Sequence, residues 1–118
     1  MAKILVVDDA AFVRMKYVKS LINGGHEVVE AKNGAEALEK YRECRPDGVL
    51  LDINMPVMDG IVTLHEIMRL DPTARIAMVT CMGSQSVVLT ALKSGARDFV
   101  MKPQDEDGTL NTIHRLIS

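Results

Sequence analysis

The segment Ile4-Leu5-Val6-Val7-Asp8-Asp9 decides the fold, because an unbroken apolar run ends abruptly in two acidic residues. Short apolar runs without polar alternation are typical of strands that are buried on both faces of a sheet. Four further runs of this kind follow along the chain, at Val28-Val29, Val49–Leu51, Ile76–Val79 and Phe99–Met101. The sequence therefore predicts five buried strands.

Stretches with helical periodicity separate the predicted strands. Their apolar stripes are expected to face the sheet, and they comprise Ala11, Met15, Val18 and Ile22; Ala37, Leu38 and Tyr41; Ile61, Leu64 and Met68; Val88, Ala91 and Leu92; and Leu110, Ile113 and Ile117. Alternation of strands and helices requires parallel strands joined by right-handed crossovers, with helices on both faces. The predicted fold is a doubly wound, five-stranded parallel α/β fold of the (βα)5 type.

Composition limits the classes of function. A chain of 118 residues has the size of one domain, which we expect to span residues 1–118. Its 14 basic and 16 acidic residues give a net charge of −2, which disfavours direct nucleic-acid binding. The sequence has no apolar run of membrane-spanning length and no signal-peptide pattern, so we expect no membrane association and a cytoplasmic location.

Polar side chains follow four of the predicted strands: Asp8 and Asp9, Asp52, Thr80 and Lys102. The carboxyl ends of parallel strands share one edge of the sheet, where ligands bind. Three carboxylates in one pocket repel each other unless a cation lies among them, and an oxygen-rich cluster suits Mg²⁺. Lys102 and Thr80 add a positive charge and a hydroxyl donor, which suit a phosphate. The combination predicts phosphoryl chemistry.

Each of these residues taken alone has a structural explanation. An aspartate after a strand is common in turns and at helix N-caps. The convergence of acidic, hydroxyl and basic groups at the ends of four strands favours a functional site instead.

The same residues resemble a known family, the receiver domain of two-component response regulators, and most closely its single-domain, CheY-like chemotaxis type. The motifs that carry the resemblance are Val7–Ala10, Leu51–Gly60, Val79–Cys81 and Gly95–Pro103, and the resemblance covers the whole chain. It implies a flavodoxin-like fold with the strand order 2-1-3-4-5, which is the order of the family and not one that the periodicity gives.

By this resemblance Asp52 is the phosphoryl acceptor, since a carboxylate can act as a nucleophile that forms an aspartyl-phosphate. Asp9, Asp52 and the backbone carbonyl of Asn54 would bind Mg²⁺ directly, and Asp8 would act mainly through a bound water. The metal ion is the one cofactor that the resemblance implies.

The resemblance also implies a switch. Lys102 would pair with a phosphoryl oxygen, and Pro103 would follow a cis peptide that aims this lysine. Thr80 would donate its hydroxyl to the phosphoryl group, and Phe99 would then turn from an exposed to a buried rotamer. The proposed catalytic residues are thus Asp52, Lys102 and Thr80, and the switch residues are Thr80 and Phe99.

The implied partners are a histidine kinase as phosphodonor, a target such as a flagellar motor switch protein, and a phosphatase. We expect a monomer whose activity is limited to its own phosphorylation and dephosphorylation. Two alternatives are a receiver excised from a longer DNA-binding regulator and a Mg²⁺-dependent aspartyl-phosphate phosphohydrolase. The latter class usually carries Asp-x-Asp after the first strand, where this chain has Asp8-Asp9-Ala10. A flavin or nucleotide carrier is disfavoured because Asp8 and Asp9 would repel phosphate.

The segment Gln104–Asp107 departs from the common family pattern, which places an aromatic or apolar residue after the Lys-Pro pair. Its acidic residues have two interpretations: they cap the fifth helix, where negative charge suits the helix dipole, or they alter a partner surface.

Overall fold

Five parallel strands form one sheet in the computed structural model, which describes residues 1–53, 55, 58–81, 85–102 and 104–118. The strands are β1 (Lys3–Val7), β2 (Glu27–Ala31), β3 (Gly48–Asp52), β4 (Ile76–Thr80) and β5 (Asp98–Met101). The helices are α1 (Ala11–Asn23), α2 (Gly34–Cys44), α3 (Gly60–Leu70), α4 (Gln85–Lys93) and α5 (Glu106–Ile117). The strand order is β2-β1-β3-β4-β5, which confirms the predicted doubly wound fold and the order that the family implies.

The sheet separates two hydrophobic cores, because successive side chains of a strand point to opposite faces. One core lies between the sheet and α2, α3 and α4, and it includes Val7, Leu51 and Met78. The other lies under α1 and α5, and it includes Val6 and Leu50. The alternation of side chains along each strand decides which face the polar residues at the strand ends share.

The face of α1 that packs on the sheet differs from the predicted stripe. Met15 is 61% exposed and Ile22 is also exposed, whereas Tyr17 and Leu21 are buried. Apolar residues occur around much of this helix, so periodicity alone did not distinguish two overlapping faces. Tyr17 and Leu21 lie four residues apart and share one face, which is the one that meets the sheet. The predicted stripe of α4 is also partly wrong, because Leu92 is exposed.

Acidic residues cap α5, as the first of the two interpretations predicted. The Asp105 side chain accepts a hydrogen bond from the Gly108 backbone N–H at 2.7 Å, and Glu106 and Asp107 occupy the first turn. Negative charge at this position interacts favourably with the positive end of the helix dipole. The Gln104 side-chain amide also donates a hydrogen bond from Nε2 to Thr112 Oγ1 at 3.1 Å. The departure from the family pattern thus stabilises the start of this helix.

The helices of the described residues are short, between 9 and 13 residues. A helix that crosses a bilayer needs about 20 predominantly apolar residues. Within the described ranges, no helix has the length and apolar character for this.

Candidate functional site

An acidic cluster forms at the carboxyl edge of the sheet. Asp8 and Asp9 follow β1, and Asp52 is the last residue of β3. Each offers a carboxylate oxygen, and these oxygens lie within 4.8 Å of one another. Asp8 and Asp52 are buried, whereas Asp9 is exposed. The structure therefore brings together the three acidic residues that the sequence placed in one pocket.

Lys102 follows β5 and enters this cluster from the opposite side. Its Nζ atom lies 2.7 Å from Asp8 Oδ2 and 3.3 Å from Asp52 Oδ1, and its side chain is 14% exposed. Burial disfavours the ammonium, but the hydrogen bond to Asp8 and the negative charges of Asp52 and Asp8 together outweigh it, so the pKa of Lys102 is raised above its usual value. The lysine therefore carries its positive charge at neutral pH.

The cluster has the chemistry of a site for a hard divalent cation. Three carboxylates supply one oxygen each within a small volume, and oxygen ligands are those that Mg²⁺ prefers. Among the described residues, the Lys102 ammonium contacts Asp8 and Asp52, and one positive charge against three carboxylates leaves an excess of negative charge that favours a cation. Asn54, predicted to add a backbone carbonyl, lies outside the described residues, as does Pro103.

Arg14 fixes the loop that carries Asp8, and sequence reasoning did not find this role. Its Nη1 donates to the backbone carbonyl of Asp8 at 2.7 Å, and its Nε pairs with Glu30 of β2 at 2.9 Å. The Asp8 N–H donates to the Ala31 carbonyl at 3.1 Å, while Asp8 Oδ1 accepts from the Ala10 N–H at 2.9 Å. The orientation of Asp8 thus depends on contacts with α1 and with the edge strand β2.

Thr80 and Phe99 lie on the strands β4 and β5, whose carboxyl ends adjoin the cluster. Thr80 is fully buried at the end of β4, and its backbone carbonyl accepts a hydrogen bond from the Lys102 N–H at 2.7 Å. Phe99 is partly buried against the core under α2, α3 and α4, and it pairs in register with Met78. Both residues are therefore on elements that adjoin the site, and their switch roles stay predictions.

A cavity of about 390 Å³ opens above the acidic cluster. The described residues that line it are Asp8, Asp9, Ala10, Val13, Asp52, Cys81 and Lys102. Thr80 is not among these lining residues, whereas the neighbouring Cys81 is exposed at the cavity. Its small side chain leaves the acidic groups accessible from the cavity.

The response regulator receiver domain family matches residues 4–114 of the sequence. The chain belongs to this family. As a receiver it is similar to the chemotaxis protein CheY of Bacillus subtilis, with 50% identity over 117 residues and 98% coverage of both chains. CheY of Thermotoga maritima is 44% identical over 97% of this chain and 96% of its own. The receiver is of the CheY type, as the motifs predicted.

Solved structures show the same architecture. The chemotaxis protein CheY4 of Vibrio cholerae superimposes on the receiver with a TM-score of 0.94, at 32% identity and 98% coverage of both chains. A CheY of Borrelia burgdorferi, in a complex of CheX, CheY, BeF3 and Mg²⁺, gives a TM-score of 0.94 at 34% identity, covering 98% of this receiver and 89% of that chain. The flavodoxin-like fold is therefore shared at close structural similarity.

The receiver also resembles part of longer proteins. A protein-glutamate methylesterase/protein-glutamine glutaminase of Archaeoglobus fulgidus is 49% identical over 111 residues, which cover 92% of this chain and 31% of that protein. Receivers of this kind thus occur within multidomain proteins as well as in proteins of about the same length.

Proposed function

We propose that Asp52 accepts a phosphoryl group from a histidine kinase and that the modification switches a partner-binding surface. The observation that carries the proposal is the position of Asp52, which is buried, adjoins two further carboxylates and lies 3.3 Å from the ammonium of Lys102. A carboxylate held next to positive charge at an open cavity is suited to nucleophilic attack on phosphorus.

The transfer forms a bond between an Asp52 carboxylate oxygen and phosphorus, and it breaks the phosphorus–nitrogen bond of the donor phosphohistidine. The bonding electrons return to the imidazole nitrogen, which takes a proton from water. The Lys102 ammonium moves from Asp8 towards a phosphoryl oxygen and stabilises its negative charge. Asp9, Asp52 and the Asn54 carbonyl would hold Mg²⁺ directly, with Asp8 acting mainly through a bound water, and the ion would supply further positive charge to the transferring group. Attack of water on the aspartyl-phosphate later breaks the bond between phosphorus and the Asp52 oxygen, which releases inorganic phosphate and restores the carboxylate.

The switch follows from contacts that exist only in the phosphorylated state. The Thr80 hydroxyl donates to the phosphoryl group and draws the end of β4 inward, and Phe99 turns further into the space beside the sheet. A ligand shifts a conformational equilibrium only through interactions that differ between the two states. The Thr80 contact is the differing interaction, and the surface around α4, β5 and α5 is the one that responds.

The similarity to chemotaxis proteins supports a role in chemotaxis. Relatives that are 50% and 44% identical over nearly their whole length carry the name CheY. We infer a cytoplasmic monomer of one domain, residues 1–118, with a flagellar motor switch protein as target and a phosphatase as a further partner. Its activity is limited to its own phosphorylation and dephosphorylation. The match to longer methylesterases supports the alternative of a receiver within a larger regulator.

Intact-protein mass after incubation with Mg²⁺ and phosphoramidate or acetyl phosphate tests the proposal. We expect one phosphoryl adduct, which disappears when Asp52 is replaced by asparagine or when Mg²⁺ is omitted. The same adduct is expected from a phosphorylated histidine kinase. Absence of an adduct with both small donors and with a kinase would mean that the chain acts by constitutive binding.

Mg²⁺ should stabilise the folded protein, and Asp52→Asn should stabilise it in the absence of metal. Ligand at about 100 times its Kd adds about 2.7 kcal/mol to the free energy of unfolding. Asp52→Asn removes one of three clustered negative charges, two of which lie in contact with the Lys102 ammonium. Thermal unfolding monitored by circular dichroism measures both effects. Unchanged melting temperatures in both cases would contradict the assembled acidic cluster.

Replacing Arg14 with glutamine should weaken Mg²⁺ binding about tenfold, as is common when a group that supports a metal ligand is removed. The variant loses the donor that holds the Asp8 carbonyl. Lys16→Gln is the matched control, since it removes the same charge from an exposed position of α1. Isothermal titration calorimetry gives both Kd values. Equal effects of the two variants would show that net charge, and not the Arg14 contact, determines the affinity.

A further inference from the structure

Tyr17 carries a buried hydroxyl that the proposed mechanism does not use. The side chain projects from α1 towards the sheet and is 6% exposed. Its hydroxyl has no hydrogen-bond partner among the residues that the structure describes. Buried polar groups in folded proteins nearly always have a partner, because an unsatisfied one loses its hydrogen bonds to water without replacement. The hydroxyl is therefore available as a donor to any acceptor that another state of the protein brings within reach.

Tyr17 lies on the same face of the sheet as Asp8 and Asp52. Tyr17 belongs to the core that also contains Val6 and Leu50. These two residues precede Asp8 and Asp52 by two positions, and side chains two positions apart along a strand point to the same face. The phenol ring thus packs on the face of the sheet that carries the phosphoryl acceptor.

The negative charge of the acidic cluster makes the phenol of Tyr17 harder to ionise. Burial, followed by the negative charges of Asp8 and Asp52, raises the pKa of Tyr17 to about 12. The hydroxyl keeps its proton at neutral pH and is available as a hydrogen-bond donor. Among the nearby acceptors, Asp8 has the larger electrostatic effect on it.

The contacts of Asp8 indicate when this donor is needed. Asp8 Oδ1 accepts from the Ala10 N–H, and Oδ2 accepts from the Lys102 ammonium at 2.7 Å. In the proposed function, Lys102 leaves Asp8 to pair with the phosphoryl group. A buried carboxylate that loses a charged donor is costly to leave unsatisfied.

We propose that Tyr17 is a positioning residue, which donates its hydroxyl to Asp8, directly or through one water, in the state where Lys102 has left this carboxylate. The inference rests on the proposed function for the event that moves Lys102. It assigns Tyr17 the task of holding Asp8 in place after phosphoryl transfer.

Tyrosine spectroscopy tests this inference directly. The chain contains two tyrosines and no tryptophan, so Tyr41→Phe leaves Tyr17 as the single reporter. Tyr41 donates to Asp71 at the amino edge of the sheet and lies outside the site. In this background we expect phosphorylation with phosphoramidate and Mg²⁺ to shift the tyrosine absorption band to longer wavelength and to reduce its emission, as donation to a carboxylate does. The additional change Asp52→Asn should abolish the shift.

A double-mutant cycle tests the same contact without any phosphoryl group. With Lys102 present, Tyr17→Phe removes an unsatisfied hydroxyl and should leave the melting temperature unchanged or raise it. In the Lys102→Met background, Tyr17→Phe removes the replacement donor of Asp8 and should lower the melting temperature. This reversal of sign distinguishes hydrogen bonding from packing, which the phenylalanine preserves in both backgrounds.

The two experiments separate failure of the inference from failure of the proposed function. An adduct on Asp52 without a spectral shift of Tyr17 overturns the inference and leaves the function standing. The inference is also overturned if Tyr17→Phe changes the melting temperature in the same direction with Lys102 present and in the Lys102→Met background. Absence of any adduct contradicts the proposed function, and the reversal of sign in the cycle then still supports the contact between Tyr17 and Asp8.

Discussion

Replacing Lys102 with methionine will slow the phosphorylation of Asp52 about 100-fold, which is the loss typical when one preorganised donor to a developing negative charge is removed. Methionine keeps much of the side-chain length but has no charge. The ammonium of Lys102 lies within 3.3 Å of Asp52 and is largely shielded from water, so its electrostatic effect on the transferring group is strong. Rates from intact-protein mass at saturating Mg²⁺ and phosphoramidate measure the loss.

The same variant will bind Mg²⁺ more tightly than the unmodified protein. Lys102 neutralises part of the charge of Asp8 and Asp52 and therefore competes with a metal cation. Calorimetric titration should show a lower Kd together with the slower transfer. Lys93→Met is the matched control, because Lys93 is exposed on α4 and carries the same charge. A weaker Mg²⁺ affinity in Lys102→Met, or a similar slowing in Lys93→Met, would contradict the role assigned to Lys102.

Replacing Gly60 with alanine will destabilise the protein by about 3 kcal/mol, at the upper end of the cost of overpacking. A Cβ atom at this position would clash with the Asp52 carbonyl oxygen and would lie 2.6 Å from the Ile53 Cα. Both contacts are with backbone, which cannot move aside as a flexible side chain can. The Gly60 N–H also donates to the Ile53 carbonyl at 2.8 Å, so the start of α3 is held against the end of β3.

Urea unfolding gives the free energy of unfolding of the Gly60→Ala protein. Val62→Ala is the matched control on the same helix, since Val62 is exposed and substitutions at such positions usually change stability by less than about 0.5 kcal/mol. Where Gly60→Ala folds, the displaced Asp52 backbone should also slow phosphorylation, whereas Val62→Ala should not. If Gly60→Ala lowers the free energy of unfolding by no more than Val62→Ala does, the backbone around Asp52 accommodates the extra carbon.

The sheet and the acidic cluster were predictable from the sequence because each depends on local patterns. Apolar runs identify the strands, and the residue after each run falls at the carboxyl edge of a parallel sheet. For this reason the sequence predicts that Asp8, Asp9, Asp52 and Lys102 lie together. In the structure the three carboxylates lie within 4.8 Å of one another, and Lys102 Nζ contacts Asp8 and Asp52. Their individual roles stay predictions, because placement alone does not distinguish an acceptor from a metal ligand.

The contributions of α1 were not predictable in the same way. Periodicity did not distinguish the face with Tyr17 from the face with Met15, because apolar residues of similar size lie on both. Arg14 was missed for a different reason. Its partners are a carbonyl on the loop after β1 and a carboxylate on β2, and such contacts between elements follow from three-dimensional packing and not from spacing along the chain.

The pairing of Lys102 with Asp8 also ties the site to the order in which the chain is made. The two residues are 94 positions apart, and their strands are separated in the sheet by β3 and β4. Contacts between distant segments close large loops and therefore form late in folding. A chain that has not yet added β5 contains Asp8 and Asp52 but lacks Lys102, so the pairing of this lysine with the two carboxylates cannot form. The arrangement that we propose for phosphoryl transfer is thus complete only once the last strand has joined the sheet.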